Sequence, residues 1–273
     1  MNLAVVGHVE WCEFLRVEEL PPPGGIVHAH ESWEEPGGGG AVAAVQLARI
    51  AGTCVFFTGL GEDELGRRAA RRLAELGVEV LTAPTEEATR RALVHVDAHG
   101  ERTITVLGRK LVPQGASPSL PWDRLGRMDG VFFVSGDAEA ARRARAARVL
   151  VATPRELETL QEAAVELDAL VGSGDDDGER YRPGDLDPPP QLVVATAGAL
   201  GGWTQPGGPY RAVAPPGELE DTYGCGDSFA AGLTFALADG RGIEDALALA
   251  AECGAEALIR RGAHGERRAE AAG

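Results

Sequence analysis

Lysine is nearly absent from this chain of 273 residues: Lys110 stands alone, and arginine makes up the rest of the 26 basic side chains. A Walker A loop needs Gly-Lys-Ser/Thr, and Arg109-Lys110-Leu111 is not that sequence. Nor does Lys110 stand in the strand context of a protein-kinase lysine. A chain of this kind that moves phosphate must neutralise charge with backbone N–H groups, a metal ion and arginine. An excess of positive charge is also missing. The net charge of -16 argues against nucleic acid and against an anionic membrane surface as partners. No apolar run approaches a membrane span, and no basic leader precedes the strand-like Leu3-Ala4-Val5-Val6. The cysteines Cys12, Cys54, Cys225 and Cys253 are scattered and form no Cys-x-x-Cys pair. Reduced thiols in a cytoplasmic protein are expected, without disulfides or a zinc site. There is no short-period repeat.

What is present is a βα rhythm. Apolar strands are expected near residues 3–9, 53–58, 78–82, 130–135, 148–152, 169–172 and 192–196. Helices are expected near 41–51, 64–76, 138–147, 156–167, from Phe229, and over 243–259. Alternating strands and helices predict a mostly parallel sheet covered on both faces. Two segments break the rhythm, about 11–36 and 90–107. A short strand over Ile26–Ala29 and a hairpin around His99-Gly100 make them a small lid sheet on a single domain over 1–262. Residues 263–273 read as a frayed tail. His28 and His30 have no third ligand nearby, so surface positions are expected rather than a metal site.

The most specific stretch is Glu220-Asp221-Thr222-Tyr223-Gly224-Cys225-Gly226-Asp227-Ser228-Phe229. Phe229, Leu233 and Leu237 recur every four residues and share one helix face. Glycines just before a helix let its first N–H groups point at one place, at the positive end of the dipole. A phosphate or developing anion suits that place. Gly226 is expected to need a positive φ. A carboxylate beside an anion hole repels a resting phosphate, but it fits a base that takes a proton from an attacking hydroxyl. The alternative is a turn with an N-capping aspartate.

The string Asp-Thr-x-Gly-x-Gly-Asp-x-Phe-x-x-Gly, completed by Gly232, resembles the C-terminal signature of the ribokinase-like carbohydrate kinases, the phosphofructokinase B group. Cys225 stands where that family usually has alanine. Gly37-Gly38, Ala44, Leu47-Ala48 and Ile50 resemble its N-terminal signature. A dinucleotide-binding reading of Gly37–Gly40 is set aside because Glu31–Pro36 makes a poor strand. Gly59–Gly66 is similar to the family's Gly-x-x-Gly-x-Asp-x-x-Gly turn, with a capped helix start as its bland reading. His99–Thr103 is similar to its lid hairpin, and Thr196–Gly201 to its nucleotide turn.

The resemblance implies a three-layer α/β/α fold with a small β lid, ATP and Mg²⁺ as donor and metal, and an alcohol acceptor. It implies Asp227 as base, with Gly224, Cys225 and Gly226 as anion hole. Thr196, Gly198, Gly201, Ser173 and Thr222 fall on the nucleotide side. Ser173 and Asp176 fall at the positions of the family's Asn-x-x-Glu magnesium organiser, with Asp175 beside them, so Asp176 and Asp175 are the magnesium candidates, through water; a solvated acidic loop is the second reading. On the acceptor side stand Glu10, Cys12, Gly38, Gly39 and Val42. Two of these depart from the family, which tends to carry aspartate at Cys12 and asparagine at Val42. Simple pentoses and hexoses are therefore expected to be poor acceptors, and Trp11 or Trp33 is a candidate to stack on an acceptor ring. A monovalent cation at the Asp221–Thr222 loop and a homodimer through the lid complete the expectations. Two rivals stay open: a non-catalytic binding protein on this fold, and a kinase for a heterocyclic, vitamin-type alcohol.

Overall fold

The computed structural model describes residues 1–83 and 85–265. In chain order the strands are β1 (Leu3–Val6), β2 (Glu10–Arg16), β3 (Glu31–Gly37), β4 (Cys54–Gly59), β5 (Val78–Ala83), β6 (Arg91–Val96), β7 (Arg102–Leu107), β8 (Gly130–Phe133), β9 (Val149–Ala152), β10 (Ala169–Ser173), β11 (Val193–Thr196), β12 (Gly202–Gln205) and β13 (Gly208–Tyr210). The helices are α1 (Gly39–Ala51), α2 (Glu64–Glu75), α3 (Ala138–Ala144), α4 (Leu157–Ala163), α5 (Cys225–Ala238) and α6 (Ile243–Ala257).

Strand β1 shows how the core is built. Its alternation sends Leu3 and Val5 into one apolar cluster and Ala4 and Val6 into another. All four are buried, as expected of a central parallel strand with helices on both faces. Phe56 and Phe57 of β4 divide between the two clusters in the same way, as do Phe132 and Phe133 of β8. Helices α1, α2, α5 and α6 contribute to the first cluster, α3 and α4 to the second. The sheet runs β13-β12-β11-β10-β9-β8-β1-β4-β5. It is parallel from β11 to β5, with β12 and β13 added antiparallel at one edge. That edge hairpin, rich in glycine and proline, has no apolar periodicity to announce it.

A second sheet runs β3-β2-β6-β7. Its β3 corrects the reading of Glu31–Pro36 as a poor strand, and residues 26–29 are not strand. Strand β3 lies at an edge, paired only with β2, where Pro36 removes no needed donor. Its alternating exposed and half-buried residues show a strand with one wet face. Helix α4 is shorter than expected, because Ala164 takes a left-handed φ of 51° and ends it. Of the segment read as a frayed tail, residues 266–273 lie outside the described residues. No helix among the described residues is long and apolar enough to cross a membrane.

The chain passes between the two sheets four times: between β1 and β2, at Gly38 between β3 and α1, between β5 and β6, and after β7.

Candidate active site

Helix α5 begins at Cys225 because Gly224 turns the chain at φ 73°. A Cβ at Gly224 would also sit 2.8 Å from Val42 Cγ1, so backbone and packing both require glycine. The expectation of positive φ at Gly226 is thereby corrected: the strained turn is one step earlier, and a Cβ at Gly226 would meet open space. The N–H groups of Cys225, Gly226 and Asp227 open the helix and have no acceptor within it.

Asp227 lies on this first turn. A Cβ placed on Gly39 would be 2.6 Å from Asp227 Oδ1, so the glycine run passes directly against the carboxylate. Burial, and then the charge of Glu179, push the Asp227 carboxyl up to about 6, while Arg102 and Arg155 oppose the rise. A carboxylate that titrates near neutrality is suited to take and return a proton.

Tyr223 joins the two glycine segments. Its hydroxyl accepts from Gly38 N–H at 2.8 Å and lies 3.4 Å from Cys12 Sγ. Asp221 holds the same loop, accepting from Tyr223 N at 2.9 Å and from Gly262 N at 2.6 Å. Thr222 is tied to the hairpin of the second sheet. Its N–H donates to Gly100 O at 3.0 Å, and Arg102 donates to both its carbonyl and its hydroxyl oxygen.

Glu10 is buried and 3.1 Å from Arg90 Nε. Burial raises its pKa, and Arg90 and then Lys110 draw it back. His8 Nδ1 is 3.0 Å from Ser135 Oγ, and its Nε2 is 3.8 Å from Glu10. Burial, Lys110, Arg90 and Arg155 push His8 down to about 3, so it is a neutral ring. Gly38 lies against both, since a Cβ there would be 3.2 Å from Glu10 Cγ and from His8 Cδ2. Cys12 and Val42 are buried in a cluster with Phe14 and Tyr223. The structure places them beneath the site, where Val42 supports the Gly224 turn.

The tryptophans are already engaged. Trp11 is buried under the Arg68 guanidinium, and Trp33 stacks on Phe14 with Arg261 at 4.2 Å from its ring. His30 lies 3.8 Å from Glu18, and among the described residues there is no cluster of three or more metal-ligating side chains.

Ser173 and Thr196 end adjacent strands and pair in register, at the carboxyl edge of the parallel sheet. Gly198 (φ 52°) and Gly201 (φ 95°) follow in the next turn. Asp176 is held by Arg155 at 2.6 Å and caps Gly178 N–H, and Asp175 N–H donates to Ser173 Oγ. The carboxylate in this loop that acts most on Asp227 is Glu179, which also accepts from Ser173 N–H at 2.6 Å. Sequence reasoning missed Glu179, His8, Tyr223, Arg90, Arg102 and Arg155. Glu179 was hidden among neighbouring acidic residues; the others are brought in by long-range contacts. A cavity of about 530 Å³ bounded by Arg16, His30, Asp97, His99 and Glu220 includes none of the groups around Asp227.

Residues 1–127 and 134–268 match the family model described as pfkB family carbohydrate kinase. The chain belongs to that family. This pfkB-family kinase is 28% identical to the ATP-dependent ribose-1-phosphate kinase of Halopiger xanaduensis, over 97% of the chain and 94% of the relative. It is 29% identical to the aminoimidazole riboside kinase of Salmonella typhimurium, over 84% of the chain and 83% of the relative. Among solved structures it is similar to the ribokinase of Thermotoga maritima, with TM-score 0.74 and 22% identity over 96% of the chain and 94% of that structure. Arabidopsis thaliana ribokinase, complexed with ribose and ATP, gives TM-score 0.73 and 21% identity over 97% of this kinase and 96% of that chain. These likenesses establish the ribokinase fold, a mostly parallel α/β core with a small second sheet, as the signatures implied.

Proposed function

We propose that this kinase transfers the γ-phosphoryl group of ATP to an alcohol of a sugar, nucleoside or related small molecule, with Asp227 as base. The observation that carries the reading is Asp227 itself: a carboxyl raised to about 6, on the first turn of α5, beside three helix-opening N–H groups. The acceptor hydroxyl passes its proton to Asp227 as its oxygen bonds to phosphorus. The bond from phosphorus to the ADP oxygen breaks, and the N–H groups of Cys225, Gly226 and Asp227 stabilise the charge in flight. Thr196, Gly198, Gly201, Ser173 and Thr222 form the nucleotide side. A non-catalytic binder would gain nothing from a carboxylate facing a bound phosphate. The two curated relatives act, by name, on ribose-based acceptors, which supports a ribosyl compound over a flat vitamin-type alcohol.

Magnesium fits this site. It is held in phosphoryl-transfer enzymes by one or two carboxylates together with substrate phosphates, and Glu179, with Asp175 and Asp176 in the same loop, offers them. It would screen the phosphate charge during transfer. A monovalent cation at the Asp221–Thr222 loop is part of the same proposal: each Asp221 oxygen accepts one backbone N–H and keeps further lone-pair capacity.

The direct test is acceptor-dependent ADP release with ATP and Mg²⁺, measured from pH 4.5 to 9. A base with a raised pKa is active when deprotonated, so kcat/KM should fall about tenfold per pH unit below about 6. An acid limb near 4, the ordinary aspartate value, would remove Asp227 from this role.

A homodimer through the second sheet is also proposed. Its edge strand β7 leaves Ile104 and Val106 each 41% exposed on one face. Sedimentation equilibrium should give twice the chain mass of 28.5 kDa, and Val106→Glu should shift it toward monomer. A wild-type chain that sediments as a monomer at micromolar concentration rejects the dimer.

A further inference from the structure

We infer that Tyr223 is a positioning residue of this kinase, whose hydroxyl holds the Gly38–Gly39 segment against Asp227. The inference rests on the reading of Asp227 as base and adds the group that fixes its surroundings.

Two links join Tyr223 to Asp227. The first runs along the chain. Tyr223 directly precedes Gly224, the turn at φ 73° from which α5 starts, and Asp227 stands on the first turn of that helix. The second crosses the molecule. The Tyr223 hydroxyl accepts from Gly38 N–H at 2.8 Å, and a Cβ on the next residue, Gly39, would stand 2.6 Å from Asp227 Oδ1. The two links close a ring of contacts, so the glycine run and the α5 turn fix each other for as long as the hydrogen bond holds.

Gly38 has no other brace on that side. It opens α1 at φ 81° and ψ 152°, without a side-chain cap. That backbone region belongs almost wholly to glycine, so no side chain of its own could anchor it. Its carbonyl accepts from Val42 N–H at 3.1 Å, a bond that looks into the helix. Its N–H looks the other way, and Gly38 is buried. Without the phenol oxygen that donor would be left unpaired in the interior, which costs more than the bond itself is worth.

The hydroxyl is held in turn. The ring meets Phe14 edge to face, with centroids 5.0 Å apart. Tyr223 N–H donates to Asp221 Oδ1 at 2.9 Å, and Cys12 Sγ lies 3.4 Å from the phenol oxygen. A Cβ on Gly37 would fall 2.5 Å from both that sulfur and that oxygen, so the pair fills the space over Gly37 and leaves none for a ligand. Tyr223 is 6% exposed. It therefore acts on the reaction through Gly38 and not by touching a substrate.

The consequence falls on Asp227. Burial is the first cause of its raised pKa. If Gly38 is released, Gly39 recedes from Oδ1 and water reaches the carboxylate. Its pKa then falls toward the ordinary aspartate value of about 4. The charges that act on Asp227, which are Glu179, Arg102, Arg155 and Glu10, belong to other segments.

The test is Tyr223→Phe in the purified full chain, which keeps the ring and removes one oxygen. ADP release is followed with ATP and Mg²⁺. The acceptor probes are ribose, a ribose monophosphate and adenosine, and the one fastest with wild type is used throughout. A shift of the base away from its working geometry should lower kcat about tenfold or more, with KM for ATP held within about twofold. The acid limb of kcat/KM should move down by about half a pH unit or more. Hydrogen exchange over residues 37–40, read by mass spectrometry without turnover, should speed about tenfold as Gly38 N–H loses its acceptor. Phe14→Leu removes the ring contact and leaves the hydroxyl, so it should lower the melting temperature without moving the acid limb. An unchanged limb or unchanged exchange in Tyr223→Phe overturns the inference and leaves the kinase reading standing. So does an equal shift of the limb in Phe14→Leu, which would assign the effect to packing. A wild-type acid limb near 4, or no ADP release with any probe, overturns the reading of Asp227 and this inference with it.

Discussion

Asp227→Asn is expected to lower kcat by about two to four decades while the protein folds normally. The substitution keeps the shape of the side chain on the first turn of α5. It removes both the charge and the site that receives the proton. The side chain is a poor candidate for a purely structural cap, because burial, and then the charge of Glu179, raise its pKa to about 6 rather than stabilising the ionised form. A carboxylate that only capped α5 would be held below its ordinary value by the N–H groups it accepted from. Single-turnover kinetics with a saturating acceptor separate the two roles. Activity within a few-fold of wild type, with the melting temperature unchanged, would end the base assignment. The acid limb near pH 6 should vanish from whatever activity remains.

Gly39→Ala is expected to cost about two decades in kcat, with little change in KM for ATP. The added Cβ would stand 2.6 Å from Asp227 Oδ1 and 3.1 Å from Val134 Cγ1. Valine can yield by a few tenths of an ångström; the carboxylate must move by roughly 1 Å. A displacement of that size at the reacting centre can cost about a hundredfold. The backbone at Gly39 is already helical, so the methyl group brings no conformational penalty, and the melting temperature should fall only by a few degrees. Full activity in Gly39→Ala would show that Asp227 acts from another rotamer, away from the glycine run.

The glycine turn that opens α5 was legible because its signal is local. Gly224, Cys225, Gly226 and Asp227 are consecutive, and a turn, a helix start and an anion hole are properties of neighbouring residues. Even there, positive φ was read onto Gly226, since the sequence does not show that Val42 lies beneath Gly224. The residues expected on the acceptor side were far less legible. Cys12 and Val42 stand where the family places polar contacts, yet both pack into a cluster with Phe14 and Tyr223. Trp11 and Trp33, candidates to stack on an acceptor, are covered by Arg68 and Arg261. Edge strand β3 was missed because its one wet face and Pro36 weaken every strand signal that composition can give.

The sequence by itself determined the family, the βα core, the absence of a lysine-based phosphate loop and the glycine turn that ends in Asp227. Each follows from period, composition or adjacent residues. Only the tertiary structure decided which charges meet. Tyr223 reaches Gly38 across 185 positions, and Arg102 reaches Thr222 across 120. Arg90 meets Glu10, and Lys110 meets Glu156, only because the chain passes repeatedly between two sheets. Charge interactions depend on distance and burial, which fold topology sets and residue order does not. For that reason the glycine turn could be read along the chain, whereas the charges around it could be read only where the passages converge.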